Sequence, residues 1–64
     1  MIVTEERKLK REIALVASTK PMFVEIERIY ELGNDERKVF VKIRGFKYTV
    51  FMRGDFVWAT MARI

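Results

Sequence analysis

The 64-residue sequence predicts an α+β domain, one N-terminal helix packed on a four-stranded antiparallel meander sheet that can curl toward a small barrel. Two observations carry this. Apolar residues recur at helical spacing before Ser18, and after Pro21 the period changes to two. The period-two stretches are then separated by turn signals at Gly33-Asn34-Asp35-Glu36, Gly45 and Arg53-Gly54-Asp55, which read as a meander.

In the helix, Thr4 offers an N-cap, with Glu5 and Glu6 in a first turn where the helix dipole favours anions. Leu9, Ile13, Val16 and Ala17 form one apolar stripe. Glu6 and Lys10 are a supportive i,i+4 pair, and Lys8 and Glu12 repeat it with reversed polarity. Pro21 disfavours helical geometry at Lys20, so the helix spans about 4–17, with a linker over 18–21.

Four strands follow, at about 22–32, 37–44, 46–53 and 56–63. A loop over Gly33-Asn34-Asp35-Glu36 sets Tyr30 opposite Val39 and Ile26 opposite Ile43 on one face. On the other face it pairs Glu31 with Lys38, Ile29 with Phe40, Glu27 with Lys42 and Glu25 with Arg44. Arg28 is the misfit, on the apolar side opposite Val41, and a bulge there would re-aim it. A two-residue turn at Arg44-Gly45 pairs Ile43 with Phe46, Val41 with Tyr48 and Val39 with Val50. Closure at Arg53-Gly54 pairs Val50 with Val57, Tyr48 with Ala59 and Phe46 with Met61, while a longer bulged turn would swap the faces of the last strand.

This register gives one aliphatic face, on which Leu9, Ile13 and Val16 bury against Val39, Val41, Tyr48 and Val50. The opposite face gathers Ile29, Phe40, Phe51, Phe56 and Trp58 among Lys38, Lys42, Lys47 and Thr49. A single helix covers one face only. The aromatic face must be closed by barrel curvature, a second copy or a partner, because patches of that size rarely go unused.

Composition narrows the function. The chain has no Cys, no His and no Gln, and Asn34 is its only Asn, while Lys, Arg and Glu abound. Such depletion of thermolabile side chains is a hyperthermophile signature and suits an archaeon or its virus. No apolar run is long enough to span a membrane, and Met1-Ile2-Val3 runs straight into charged residues, unlike a signal peptide. A cytoplasmic location is expected. The net charge of +4 is uneven: residues 1–20 carry five basic and three acidic groups, 21–36 one and five, and 37–64 seven and one. The basic C-terminal half suits an anionic partner, unless the acidic middle neutralises it within the fold.

Catalysis is not expected, and neither is a cofactor or metal. Without His or Cys, nothing titrates near neutral pH unless strongly perturbed. Asp35 and Asp55 sit in turns, Ser18 has no base near it in sequence, and Gly33, Gly45 and Gly54 stand singly at turns. Two binding readings remain. The first is a protein-interaction module, an inhibitor or regulator docking on a larger protein of the DNA replication or transcription machinery through the aromatic face or an edge strand. Its contact set is Phe40, Phe51, Phe56 and Trp58 with Lys38, Lys47 and Arg53. The alternative is direct nucleic-acid binding, with bases stacked on those rings over a basic groove. A homodimer would close the same face.

In size, charge and composition the chain is similar to the small inhibitors of the archaeal replication sliding clamp. The resemblance implies a clamp partner but carries over no residue. A clamp-binding peptide opens with Gln and ends in adjacent aromatics, whereas this chain has no Gln and Val57 separates Phe56 from Trp58.

Overall fold

A computed structural model describes residues 3–63, with side chains from Glu6 to Arg63; Met1, Ile2 and Ile64 lie outside the described residues. Helix α1 (Val3–Val16) is followed by a 3-10 turn (Pro21–Phe23) and four strands: β1 (Val24–Gly33), β2 (Glu36–Ile43), β3 (Phe46–Arg53) and β4 (Phe56–Ala62). The sheet is an open antiparallel meander in the order β1-β2-β3-β4, not a closed barrel. No helix among the described residues is long and apolar enough to cross a membrane.

The helix begins before Thr4, which therefore lies in the first turn rather than at the N-cap. Leu9 and Ile13 are buried, but the third buried position is Ala14; Val16 and Ala17 are exposed. Ser18 N–H donates to Leu15 O at 3.3 Å and Thr19 N–H to Ala14 O at 2.9 Å, the two bonds of a Schellman stop. The residue between them takes the left-handed conformation that such a stop needs, and here it is Ser18, with φ 55°. Ser18→Gly should therefore stabilise the domain, by up to about 1 kcal/mol, because glycine adopts that geometry without the Cβ clash. A thermal melt unchanged or lowered by the substitution would count against this account.

Pro21 opens the 3-10 turn, closed by Phe23 N–H to Lys20 O at 3.0 Å, so β1 starts at Val24 rather than 22. Asn34 and Asp35, both at positive φ, make a two-residue turn of type I′, and Arg44-Gly45 make another, as expected. The last hairpin turns at Gly54-Asp55, one residue later than expected, with only Gly54 at positive φ.

The β2–β3 register is the expected one: Ile43 faces Phe46, Val41 faces Tyr48 and Val39 faces Val50. The expected four-residue loop is a two-residue turn with Gly33 opposite Glu36. The β1–β2 register keeps to expectation only at that pair and is then shifted twice by bulges, between Glu31 and Gly33 and between Ile26 and Arg28. The first shift brings Ile29 to Val39 on the helix side and turns Tyr30 away, opposite Lys38. The second returns Ile26 and Val24 to the helix side, opposite Val41 and Ile43. Arg28, between the two bulges, is re-aimed by the first to the outer face, opposite Phe40. The expected pairs Glu31–Lys38, Glu27–Lys42 and Glu25–Arg44 do not form; Glu31 faces Arg37 and Glu25 faces Lys42. The pairing of β4 is shifted likewise. Val57 meets Met52 rather than Val50, a bulge follows at Trp58, and Thr60 and Ala62 meet Val50 and Tyr48. Met61 consequently lies opposite Thr49 on the outer face, not beside Phe46.

The core lies between α1 and the helix side of the sheet: Leu9, Ile13, Ala14, Val24, Val39, Val41, Ile43, Val50 and Met52. Ile26, Ile29, Tyr48 and Val57 pack at its margin. Beyond the helix C-terminus an open cleft of about 460 Å³ remains, lined by Val16, Ile43, Phe46, Tyr48 and Thr60 among others.

Candidate functional site

The outer face carries the rings, but in two groups. On the β1–β2 side Tyr30 and Phe40 meet edge to face, with centroids 5.2 Å apart. The Lys38 ammonium sits 5.1 Å from the Tyr30 ring centre and 5.6 Å from that of Phe40. On the β3–β4 side Phe51 and Trp58 pack at 5.7 Å, tilted by 42°. The bulge at Trp58 aims it to the outer face beside Phe51, and Phe56 and Met61 share that face.

Arg63 organises the space between the groups. Its side chain reaches back across the sheet from just beyond β4. Nε donates to Tyr48 O at 3.2 Å, and Nη2 donates to Val41 O at 3.1 Å and to Glu27 Oε1 at 2.6 Å. The guanidinium carbon lies 4.3 Å from the Phe40 ring centre. One residue thus ties β4 to β3, β2 and the bulge of β1, and covers a ring that would otherwise be open to a ligand. Glu27, the bulged residue, is placed to accept this bond because the bulge leaves it outside the ladder.

The hydrogen bond from Arg63 holds the Glu27 carboxyl below its ordinary value of 4.5; the charges of Arg63, Lys47 and Lys42 act the same way, and desolvation opposes them. A carboxyl lowered on folding stabilises the native state above its ordinary value, and the contribution fades as pH falls through the lowered one. Wild type should therefore be more stable than Glu27→Gln at neutral pH, and the difference should close below pH 4.5. Denaturant titrations at several pH values would read it, and a gap that widened on acidification would contradict the assignment.

The expected contact residues are not one surface. Phe40 is half-buried beneath Arg63 and Lys38. Arg53 is held by Glu36 at 2.8 Å. Lys47 is exposed and faces Lys42 across the strands, with no ion pair among the described residues. Phe51, Phe56 and Trp58 do come together, joined by Met61, with Phe56 73%, Trp58 60% and Met61 60% exposed. Ile29 is withdrawn to the core margin. The sequence reading missed Arg63 and Tyr30. Tyr30 could be found only by anticipating the bulges, and Arg63 only by knowing which carbonyls β4 passes.

No protein-family model matches the sequence, and no characterised protein or solved structure matches it. Function rests on the site itself.

Proposed function

We propose that the protein is a non-catalytic interaction module acting in the cytoplasm, an inhibitor or regulator that docks on a larger protein of the nucleic-acid machinery through the corner formed by Phe51, Phe56, Trp58 and Met61. The observation behind this reading is the exposure of Phe56, Trp58 and Met61 on one strand beside Phe51. Aromatic residues and methionine are what interface cores enrich, and a Trp within such a cluster is the usual anchor. Direct nucleic-acid binding is supported less well. Of the cations on the outer face, Arg53 and Arg63 are ion-paired and Lys38 lies over two rings, so stacking on Phe40 is obstructed. The cations left without an ion pair among the described residues, Lys42 and Lys47 included, lie away from the exposed Trp58 corner.

The test combines two measurements. Capture from the source organism's lysate, with and without nuclease, should give a nuclease-resistant protein partner. Trp58→Ala should weaken that complex by at least ~2 kcal/mol, and Lys47→Ala should change mainly the on-rate. Titration with single- and double-stranded DNA and RNA at two salt concentrations should show no tight binding. Micromolar affinity that falls steeply with salt and disappears in Lys47→Ala would replace this reading with nucleic-acid binding.

A further inference from the structure

The two edges of the sheet are built differently. β1 carries Glu25, Glu27, Arg28 and Glu31 and is broken by two bulges, features that keep a strand edge from pairing. β4, at the opposite edge, reads Phe-Val-Trp-Ala-Thr-Met-Ala, with no charge, proline or glycine. Its one register shift lies opposite Phe51 and Met52, so Ala59 to Ala62 run in unbroken register with β3. Arg63 N–H donates to Lys47 O at 2.9 Å. By the alternation of an antiparallel ladder, Met61 and Ala59 then bond inward to Thr49 and Phe51, and Thr60 and Ala62 turn their backbone groups to the open edge.

We propose that β4 pairs antiparallel with β4 of a second copy, joining two sheets into one continuous eight-stranded sheet about a two-fold axis at Thr60. A second copy fits because the seam is complementary to itself. With Thr60 on the axis, Ala59 of each copy lies opposite Met61 of the other on the outer face, so a large side chain meets a small one on either side of the axis. The two Thr60 hydroxyls face each other on the helix side. No charge within Phe56–Ala62 meets its like, despite a net charge of +4 on each chain. The axis stands perpendicular to the sheet. Both helices therefore fall on one side and both Trp58 corners on the other, where they merge. This inference is independent of what docks on that corner.

Sedimentation equilibrium from ~10 μM to ~1 mM covers the range in which a short seam associates weakly. The average mass should rise from 7.7 kDa toward twice that value. Thr60→Lys sets two ammonium groups across the axis and should weaken association at least tenfold while leaving the far-ultraviolet circular dichroism unchanged. Amide hydrogen exchange on the unaltered protein gives an independent reading, with protection of Thr60 and Ala62 rising at least tenfold with concentration and that of Val50 constant. A mass that stays at one chain throughout, a dimer in which Thr60 and Ala62 exchange as freely as in dilute solution, or a dimer untouched by a folded Thr60→Lys would each overturn the proposal. Open-ended oligomers would overturn its two-fold closure.

Discussion

Leu9→Ala is expected to lower the stability of the domain by about 2–5 kcal/mol, the range for emptying a buried leucine site whose surroundings collapse only partly. Leu9 is 5% exposed and belongs to a core of nine buried apolar residues, most of them supplied by the sheet. A chain of this size has little stability to lose, so the midpoint of thermal unfolding should fall by ~10 °C or more. The control is Leu15→Ala on the same helix. Leu15 is 68% exposed, and its truncation should change stability by less than about 0.5 kcal/mol. Urea unfolding of both variants tests the orientation of α1. Equal losses, or a larger loss at Leu15, would mean that the helix presents another face.

Arg63→Ala should cost on the order of 2 kcal/mol, because it removes charge-assisted bonds to two backbone carbonyls and to the Glu27 carboxylate. Arg63→Lys should recover only a minor part, since one ammonium cannot span Tyr48 O, Val41 O and Glu27 while lying flat on Phe40. The loss in Arg63→Ala and the loss in Glu27→Gln should be less than additive, which a double-mutant cycle at neutral pH measures. The variant should also uncover Phe40. If uncovering it strengthened binding to single-stranded nucleic acid, Arg63 would be acting as a cover over a stacking ring. Full additivity of the two losses would show that the Arg63–Glu27 bond contributes nothing to stability.

The misses in the site come from three inserted residues. Bulges at Leu32 and Glu27 invert β1 between them, and the bulge at Trp58 inverts the far half of β4. Each inversion moves side chains from one face to the other, since strand periodicity is two. Tyr30 and Ile29 exchanged faces for that reason, and Met61 joined the aromatic corner. The pairing of β2 with β3 contains no bulge, and there the residue pattern and the turn at Arg44-Gly45 were sufficient. Arg28 was the local sign of trouble in β1: a cation in an apolar row marks where a strand must break step.

Sequence alone determined the element order, the helix with Leu9 and Ile13 inward, the meander, the Arg44-Gly45 turn and the placement of Phe40, Phe51, Phe56 and Trp58 on the outer face. Those features follow from local periodicity and turn chemistry, which neighbouring residues set. Tertiary structure decided which cations are free, which rings are covered and how far the helix stripe reaches. Arg63 meets Glu27 across 36 positions of chain, and Val16, although on the helix stripe, is exposed at the end of α1 above an open cleft. Contacts of that span depend on the summed twist and slippage of every strand between the partners, and no local pattern encodes that sum.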